Sequence, residues 1–124
     1  AQAAYIHERT VWDASQVGSA VQNPGSQLNA FRIKGSYWYQ RRYGLTLAYF
    51  SETGSADNIV YPITGSPNTN GCIAELNYMI QPNWRVGLQY TGFLKYQGAS
   101  ANYDGNGRNA RNNNVTYLYT WIAF

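Results

Sequence analysis

Hydrophobic and polar residues alternate along several segments of this chain, and irregular segments rich in Gly, Asn and Pro separate them. Successive side chains of a strand point to opposite faces, so alternation over about ten residues predicts a strand with one apolar and one polar face. Six such strands are predicted, at Gln2–Asp13, Leu28–Gln40, Gly44–Ser51, Cys72–Ile80, Trp84–Tyr96 and Asn114–Phe124. We therefore predict an all-β chain, with residues 1–124 forming a single antiparallel up-and-down segment.

The alternation also assigns side chains to faces in the second to fifth strands. The apolar positions are Phe31, Ile33, Gly35, Tyr37, Tyr39, Leu45, Leu47, Tyr49, Cys72, Ala74, Leu76, Tyr78, Ile80, Val86, Leu88, Tyr90, Gly92 and Leu94. The polar faces carry a set of charged and amide side chains: Arg32, Lys34, Glu75, Asn77, Arg85, Gln89 and Lys95. The first strand fits neither pattern, because Glu8 shares a face with Ile6, and His7 shares the other with Tyr5. Its register is left open.

The predicted connections alternate between long and short. Short turns lie around 41–43 and 81–83, and long connections follow the first, third and fifth strands. Short turns on one side and long loops on the other are typical of outer-membrane β-barrels. Many Tyr and Trp residues also lie near strand ends, which suits two membrane-interface girdles or, equally, cross-strand packing in a soluble sheet. They are Trp12, Tyr37, Tyr39, Tyr43, Tyr78, Trp84, Tyr96 and Trp121.

Composition agrees with a strand-rich chain that is low in charge. Hydrophobic residues make up 44% and charged residues 12%, and the mean hydropathy of -0.46 is that of a soluble protein. Barrel strands give such an average, because only every second side chain faces lipid. The net charge of +3 is spread along the chain, so no nucleic-acid surface is predicted. The start of the chain lacks a leader's basic and apolar parts, so we expect a leader or an upstream portion to have been lost.

Candidate catalytic and metal-binding residues are few. His7 is the only histidine, and Cys72 is the only cysteine, so neither a catalytic set nor a haem-attachment motif is formed. Asp104–Arg108 resembles a calcium loop, but Arg108 replaces a ligand, and Val115 stands where the loop needs glutamate. We interpret His7 as a polar residue of the rim or lumen and 104–108 as part of a flexible external loop. No enzyme activity, metal site or cofactor is predicted.

The final strand resembles the C-terminal assembly signal of Gram-negative outer-membrane proteins. Its pattern places Leu118, Ile122 and the terminal Phe124 on one face. Five further segments resemble the C-terminal part of a proteobacterial group of porin-like barrels, whose members are often labelled hypothetical or cytochrome c: 5–8, 43–46, 73–78, 88–91 and 100–105. The resemblance implies recognition by the barrel-assembly machinery, location in the bacterial outer membrane and contact with its lipid.

Six strands are too few to close a bacterial single-chain barrel, which has at least eight. We therefore expect either missing upstream strands, which we favour, or several copies that close one barrel together. The predicted function is an outer-membrane porin-like barrel that forms a passive pore for small solutes. Two alternatives stay open: a barrel that sheathes a partner such as a periplasmic or extracellular multihaem cytochrome, and a soluble extracellular β-sandwich that binds glycans.

Charged side chains within membrane strands should face the lumen, because charge on the lipid face is costly. Arg32, Lys34, Arg85 and Lys95 against Glu75 would give a net basic wall. One hypothesis is that this wall favours anionic solutes. The other is that Glu75 pairs with neighbouring Arg or Lys residues and only braces the wall.

Overall fold

The structure is a computed structural model, and it describes residues 1–13 and 24–124. Its strands are β1 (Gln2–Val11), β2 (Gly25–Tyr39), β3 (Tyr43–Gly54), β4 (Thr69–Gln81), β5 (Trp84–Lys95) and β6 (Val115–Ile122), with a 3-10 helix, η1 (Ala110–Asn113), before β6. The strands form one antiparallel sheet in the order β1-β2-β3-β4-β5-β6. The prediction of six antiparallel up-and-down strands is confirmed. The sheet is not closed, and β1 and β6 are its edges.

Strand ends differ from the predicted ones where side-chain polarity gives no signal. β3 and β4 extend further towards their long connection, because Ser51 pairs with Asn70 and Glu52 pairs with Thr69. Backbone hydrogen bonding continues there although all four side chains are polar. Part of the first long connection, 14–23, lies outside the described residues.

The turn between β2 and β3 is tight and has an unusual sequence. The Arg42 N–H donates to the Tyr39 carbonyl at 3.0 Å, and Gln40 and Arg41 both have positive φ, of 50° and 54°. Two central residues with positive φ define a type I′ turn, which matches the twist of a hairpin and normally contains Asn or Gly. The hairpin therefore forms despite a backbone cost of about 1–2 kcal/mol at each of these residues.

Strand pairing brings the predicted apolar positions side by side. Leu45 pairs with Leu76, Leu76 with Leu88, and Leu88 with Leu118, so one row of leucines crosses four strands. We call this side of the sheet the apolar face. Its large side chains are Tyr5, Phe31, Ile33, Tyr37, Tyr39, Tyr43, Leu45, Leu47, Tyr49, Leu76, Tyr78, Trp84, Val86, Leu88, Tyr90, Leu118 and Ile122. The opposite side, with Arg32 and Glu75, is the polar face.

Pairing also fixes the register of β1, which the sequence left open. Tyr5 pairs with Phe31, and His7 pairs with Asn29, so both lie on the apolar face. Glu8 lies on the polar face. The polar residues His7 and Arg9 are therefore at the long-connection end of the apolar face, beyond its aromatic residues.

Burial in this sheet is the reverse of that in a soluble protein. On the apolar face, Leu47 is 57% exposed, Leu76 58% and Leu118 69%. Every buried strand residue in the described ranges lies on the polar face: Gly44, Ala48, Gly71, Asn77 and Gly87. The apolar face thus leaves its large side chains exposed, whereas the polar face contains all the buried strand residues of the described ranges.

The long connections 55–68 and 96–114 lie at one end of the sheet and contact each other. The Gly98 N–H donates to the Asn68 carbonyl at 2.7 Å, and the Ile63 side chain lies against Gly105. Tyr103 and Ala110, the two most buried hydrophobic residues of the described chain, lie in the connection 96–114. Tyr61 and Pro67 of the connection 55–68 line a cavity on the polar face. None of the helical structure in the described part of the chain has the length and apolar character of a transmembrane helix.

Candidate functional site

The polar side chains predicted to line a lumen are found on one face of the sheet. Pairing places Arg32, Lys34, Glu75, Asn77, Arg85 and Gln89 on the polar face. Lys95 follows the same alternation in β5, but it lies beyond an irregularity in the β4–β5 register and pairs with Asn70. These residues do not converge on one point. They form a basic group on β2 and a separate cluster on β4, β5 and β6.

The cluster is centred on Glu75, Asn77 and Tyr119. The Asn77 amide donates to Glu75 Oε1 at 2.6 Å. The Tyr119 hydroxyl lies 3.1 Å from Glu75 Oε1 and 2.8 Å from Asn77 Oδ1. Asn77 is only 6% exposed, so these contacts satisfy an amide that could not otherwise reach water. The bracing hypothesis expected Arg or Lys beside Glu75, whereas the structure gives it an amide and a phenol.

Glycine allows Tyr119 to reach this cluster. Gly87 pairs with Tyr119, and the phenol ring lies across the space that a Cβ atom at Gly87 would occupy. A larger residue at this position would push the ring away from Glu75 and Asn77. Trp38 lies over Gly44 in the same way, with ring atoms 2.9–3.0 Å from a Cβ atom placed there. These two aromatic–glycine pairs shape the polar face near the short turns.

Arg85 contacts aromatic rings. Its guanidinium carbon lies 5.8 Å from the ring centres of both Tyr119 and Trp121, a cation–π arrangement. Its Nε atom is buried and has no hydrogen-bond partner. Trp121 therefore lies on the polar face. Tyr96 is likewise on the polar side, because its ring centre lies 5.4 Å from that of Phe93, which pairs with Gly71 on the polar face. These two aromatic residues therefore lie on the opposite face from Tyr37, Tyr39, Tyr43, Tyr78 and Trp84.

The remaining aromatics near the short turns form a belt on the apolar face. Tyr39 pairs with Tyr43, and Tyr43 contacts Tyr78 with ring centres 5.3 Å apart. Trp84 continues the belt towards β6, where its indole N–H donates to Thr120 Oγ1 at 2.8 Å. The aromatic belt is defined here as Tyr37, Tyr39, Tyr43, Tyr78 and Trp84. Of the predicted assembly-signal residues, Leu118 and Ile122 lie on the same face, and Phe124 is fully exposed after the end of β6.

The loop between β5 and β6 has a hydrogen-bonded framework. Asp104 Oδ1 accepts bonds from the backbone N–H groups of Asn106 at 2.9 Å and Arg108 at 3.1 Å. Slight desolvation pushes the pKa of Asp104 upward, but these bonds and the nearby Arg108 cation outweigh it, so the pKa lies below the ordinary aspartate value. The Arg108 guanidinium also lies 5.7 Å from the Tyr103 ring centre. The sequence predicted a flexible external loop here and did not indicate this framework.

His7 and Cys72, the candidates for metal binding or catalysis, each lie apart from other such residues. Within 1–13 and 24–124, no group of three or more His, Cys, Asp and Glu residues could hold a metal ion. His7 Nδ1 contacts Asn29 Oδ1 at 2.7 Å, and the Cys72 thiol is free and exposed.

Comparison with protein-family models, with curated proteins and with solved structures found no match. The class that the fold defines is an all-β chain with an open, six-stranded, antiparallel up-and-down sheet. Its polar face carries the candidate site, and the large side chains of its apolar face are exposed.

Proposed function

We propose that this chain is part of the wall of a bacterial outer-membrane β-barrel, with its apolar face towards lipid and its polar face towards a water-filled lumen. The barrel acts as a passive pore for small solutes. The observation that carries the proposal is the exposure of a continuous apolar face on a sheet whose buried strand residues are all on the other side. A soluble monomer rarely exposes so large an apolar surface, whereas a barrel in lipid requires one.

The height of the apolar face suits a bilayer. Along β3, Tyr43 of the aromatic belt is eight residues from Ser51, which pairs with Phe31. Phe31 and its partner Tyr5 on β1 form the far aromatic row of the apolar face. Eight residues span about 26 Å along a strand, which a tilt of about 40° reduces to about 20 Å across the membrane. The apolar band of outer-membrane barrels is about 25 Å tall. Belt, leucine row and far aromatics thus fit the order of interface, hydrocarbon and interface.

The sheet edges support further strands beside this segment. β1 and β6 each have a neighbour on one side only, so one side of each backbone lacks strand partners among the described residues. Unpaired backbone groups cost several kcal/mol each in hydrocarbon, where water cannot satisfy them. A barrel that contains this segment is therefore closed by additional strands, which we propose come from the same protein.

The proposed solute preference rests on the charges of the polar face. The structure adds two carboxylates to the predicted wall, Glu8 on β1 and Glu52 on β3. Arg32, Lys34 and Arg85 share this face with Glu8, Glu52 and Glu75, so the excess of positive charge is smaller than the sequence predicted and comes from Lys95 alone, at the irregular end of β5. We expect a mild preference for anions, since an excess of one sign of charge concentrates the opposite ions.

Membrane partition and conductance test this proposal. The protein purified from bacterial membranes should require detergent and form open channels in planar bilayers. In a potassium chloride gradient, the reversal potential should have the sign of chloride preference. Lys34→Glu should shift that potential towards cations, and Arg41→Glu in the β2–β3 turn, outside the paired strands, should shift it less. Solubility in plain buffer would contradict the membrane proposal, and cation preference of the unmodified protein would contradict the anion proposal.

A further inference from the structure

The polar face holds a second feature near the long connections, which we call the loop-side cavity. Its volume is about 890 Å³, and residues of β1 to β5 and both described long connections line it. Tyr61 and Pro67 bring the connection 55–68 against the sheet residues of this cavity. The size is that of a small-molecule pocket, for which about 300–1,000 Å³ is usual. The loop-side cavity is separate from the Glu75 cluster, because Glu75, Asn77 and Tyr119 do not line the cavity.

Charge in the loop-side cavity favours one negative group. Arg32 and Lys34 are two residues apart on β2 and therefore project from the same face, and both line the cavity. Glu52 is the only acidic residue among the lining residues of the described chain. Two cations and one carboxylate leave a single positive charge. An arginine guanidinium binds a carboxylate through two parallel N–H donors, and the lysine ammonium adds a second charge-assisted contact.

Aromatic rings lie next to the basic residues in the same cavity, because Arg32 pairs with Phe50 between β2 and β3. Phe50 and Phe93 lie edge to face with ring centres 5.8 Å apart, and Phe93 and Tyr96 lie edge to face at 5.4 Å. All three rings line the cavity. Ring edges and faces presented in this way attract another ring more strongly than an aliphatic group of the same size. The basic residues of β2 and the rings of β3 and β5 thus offer two different contacts to one ligand.

We infer that the loop-side cavity binds a monoanionic aromatic carboxylate, with the carboxylate at Arg32 and Lys34 and the ring against Phe50, Phe93 and Tyr96. Binding at this place needs only the cavity. The further statement, that the bound molecule is a solute of the pore, rests on the proposed function. On that proposal, the pore's preference for anions is a preference for aromatic carboxylates.

Phenylacetate is a suitable probe, with two comparison compounds that each lack one feature. Cyclohexylacetate keeps the charge without the aromatic ring, and 2-phenylethanol keeps the ring without the charge. Isothermal titration in detergent should show phenylacetate binding about threefold more tightly than cyclohexylacetate. It should bind about tenfold more tightly than 2-phenylethanol. In planar bilayers, phenylacetate should interrupt the chloride current at concentrations near its dissociation constant.

Variants assign the contacts. Arg32→Gln and Lys34→Gln should each weaken phenylacetate binding about tenfold, since each removes a charge-assisted contact. Arg111→Gln is the matched control, because Arg111 is an exposed arginine near the same end of the sheet and does not line the cavity. Phe93→Leu should weaken phenylacetate binding about threefold and leave cyclohexylacetate binding unchanged. An unchanged circular dichroism spectrum in detergent shows that a variant has folded.

The outcomes separate this inference from the proposed function. Channels that conduct chloride, in a protein that binds phenylacetate no better than 2-phenylethanol, would overturn the inference and leave the pore intact. So would equal affinities of the Arg32→Gln and Arg111→Gln variants. Selective binding by a protein that forms no channels would retain the site and overturn the pore.

Discussion

The substitution Leu47→Arg decides which medium covers the apolar face. Leu47 is 57% exposed and lies on β3, four residues from Tyr43 of the aromatic belt and four from Ser51, which pairs with Phe31 of the far aromatic row. Each interval of four residues is about 13 Å along the strand and about 10 Å across a membrane after tilt. Leu47 is therefore at mid-height of the apolar face.

The change that Leu47→Arg makes in the free energy of unfolding depends on whether lipid or water surrounds the side chain. At the midplane of a bilayer, arginine on the lipid face of a barrel costs about 2–4 kcal/mol. In water, an arginine at a position as exposed as Leu47 changes the free energy of unfolding by no more than about 0.5 kcal/mol. We expect the larger loss. The two expectations do not overlap, so a single substitution can distinguish them.

The measurement is a guanidinium titration of the protein reconstituted in phosphatidylcholine vesicles. Gln89→Arg is the matched control, because Gln89 lies at nearly the same height on the polar face and pairs with Glu75. The same new charge should there be almost neutral in its effect on unfolding. A Leu47→Arg protein as stable as the Gln89→Arg protein would refute the assignment of the apolar face to lipid.

Three further predictions concern the polar face and the loop. Gly87→Ala should lower the free energy of unfolding by about 1–3 kcal/mol, since the new methyl group displaces the Tyr119 phenol from its hydrogen bonds. Gly35→Ala is the control, because no atom lies within 4 Å of the new methyl group, and it should change the free energy of unfolding by less than about 0.5 kcal/mol. Tyr119→Phe should cost a similar amount in the same titration, and the double variant with Gly87→Ala should lose less than the sum, because both changes break one contact. The pKa of Asp104 is lowered, so its carboxylate stabilises the loop above the ordinary aspartate pKa, and this stabilisation is lost as the pH falls through the lowered value. The amide resonance of Asn106, which donates to Asp104, should therefore titrate below the ordinary aspartate range. Asp104→Asn should abolish that titration. An Asn106 resonance that titrates at the ordinary value would contradict the last prediction.

Alternation along the chain was enough to predict the strands and most of their faces. Leu76 and Leu88 were assigned to one face and Glu75 and Gln89 to the other from sequence alone, and the pairing of β4 with β5 places them so. Side chains alternate between faces every residue, so a shift of the pairing by one residue would move the whole apolar set to the other face. The pairing register of a strand with one apolar face is therefore well specified. The pattern failed in β1, where polar and apolar residues share both faces, and only pairing with β2 fixed its register.

The turn and the charge balance needed the structure for different reasons. The β2–β3 turn contains Gln40 and Arg41 in place of the Asn and Gly that identify a type I′ turn, so residue type gave no warning of its positive φ angles. Glu52 was missed because the predicted third strand ends at Ser51, whereas β3 continues to Gly54. Its position beside Arg32 in the loop-side cavity reduces the positive charge that the sequence predicted.

The sequence by itself determined the approximate extent of each strand and, for β2 to β5, the two faces and the side chains on each, since these follow from local alternation. The tertiary structure decided what lies next to what. It brought Tyr119 across Gly87 to a carboxylate 44 residues away, and it placed Arg32 and Lys34 next to the rings of Phe50 and Phe93. Such neighbours depend on the register between strands and on the path of the long connections, which are set by contacts between distant residues and leave no periodic trace in the chain.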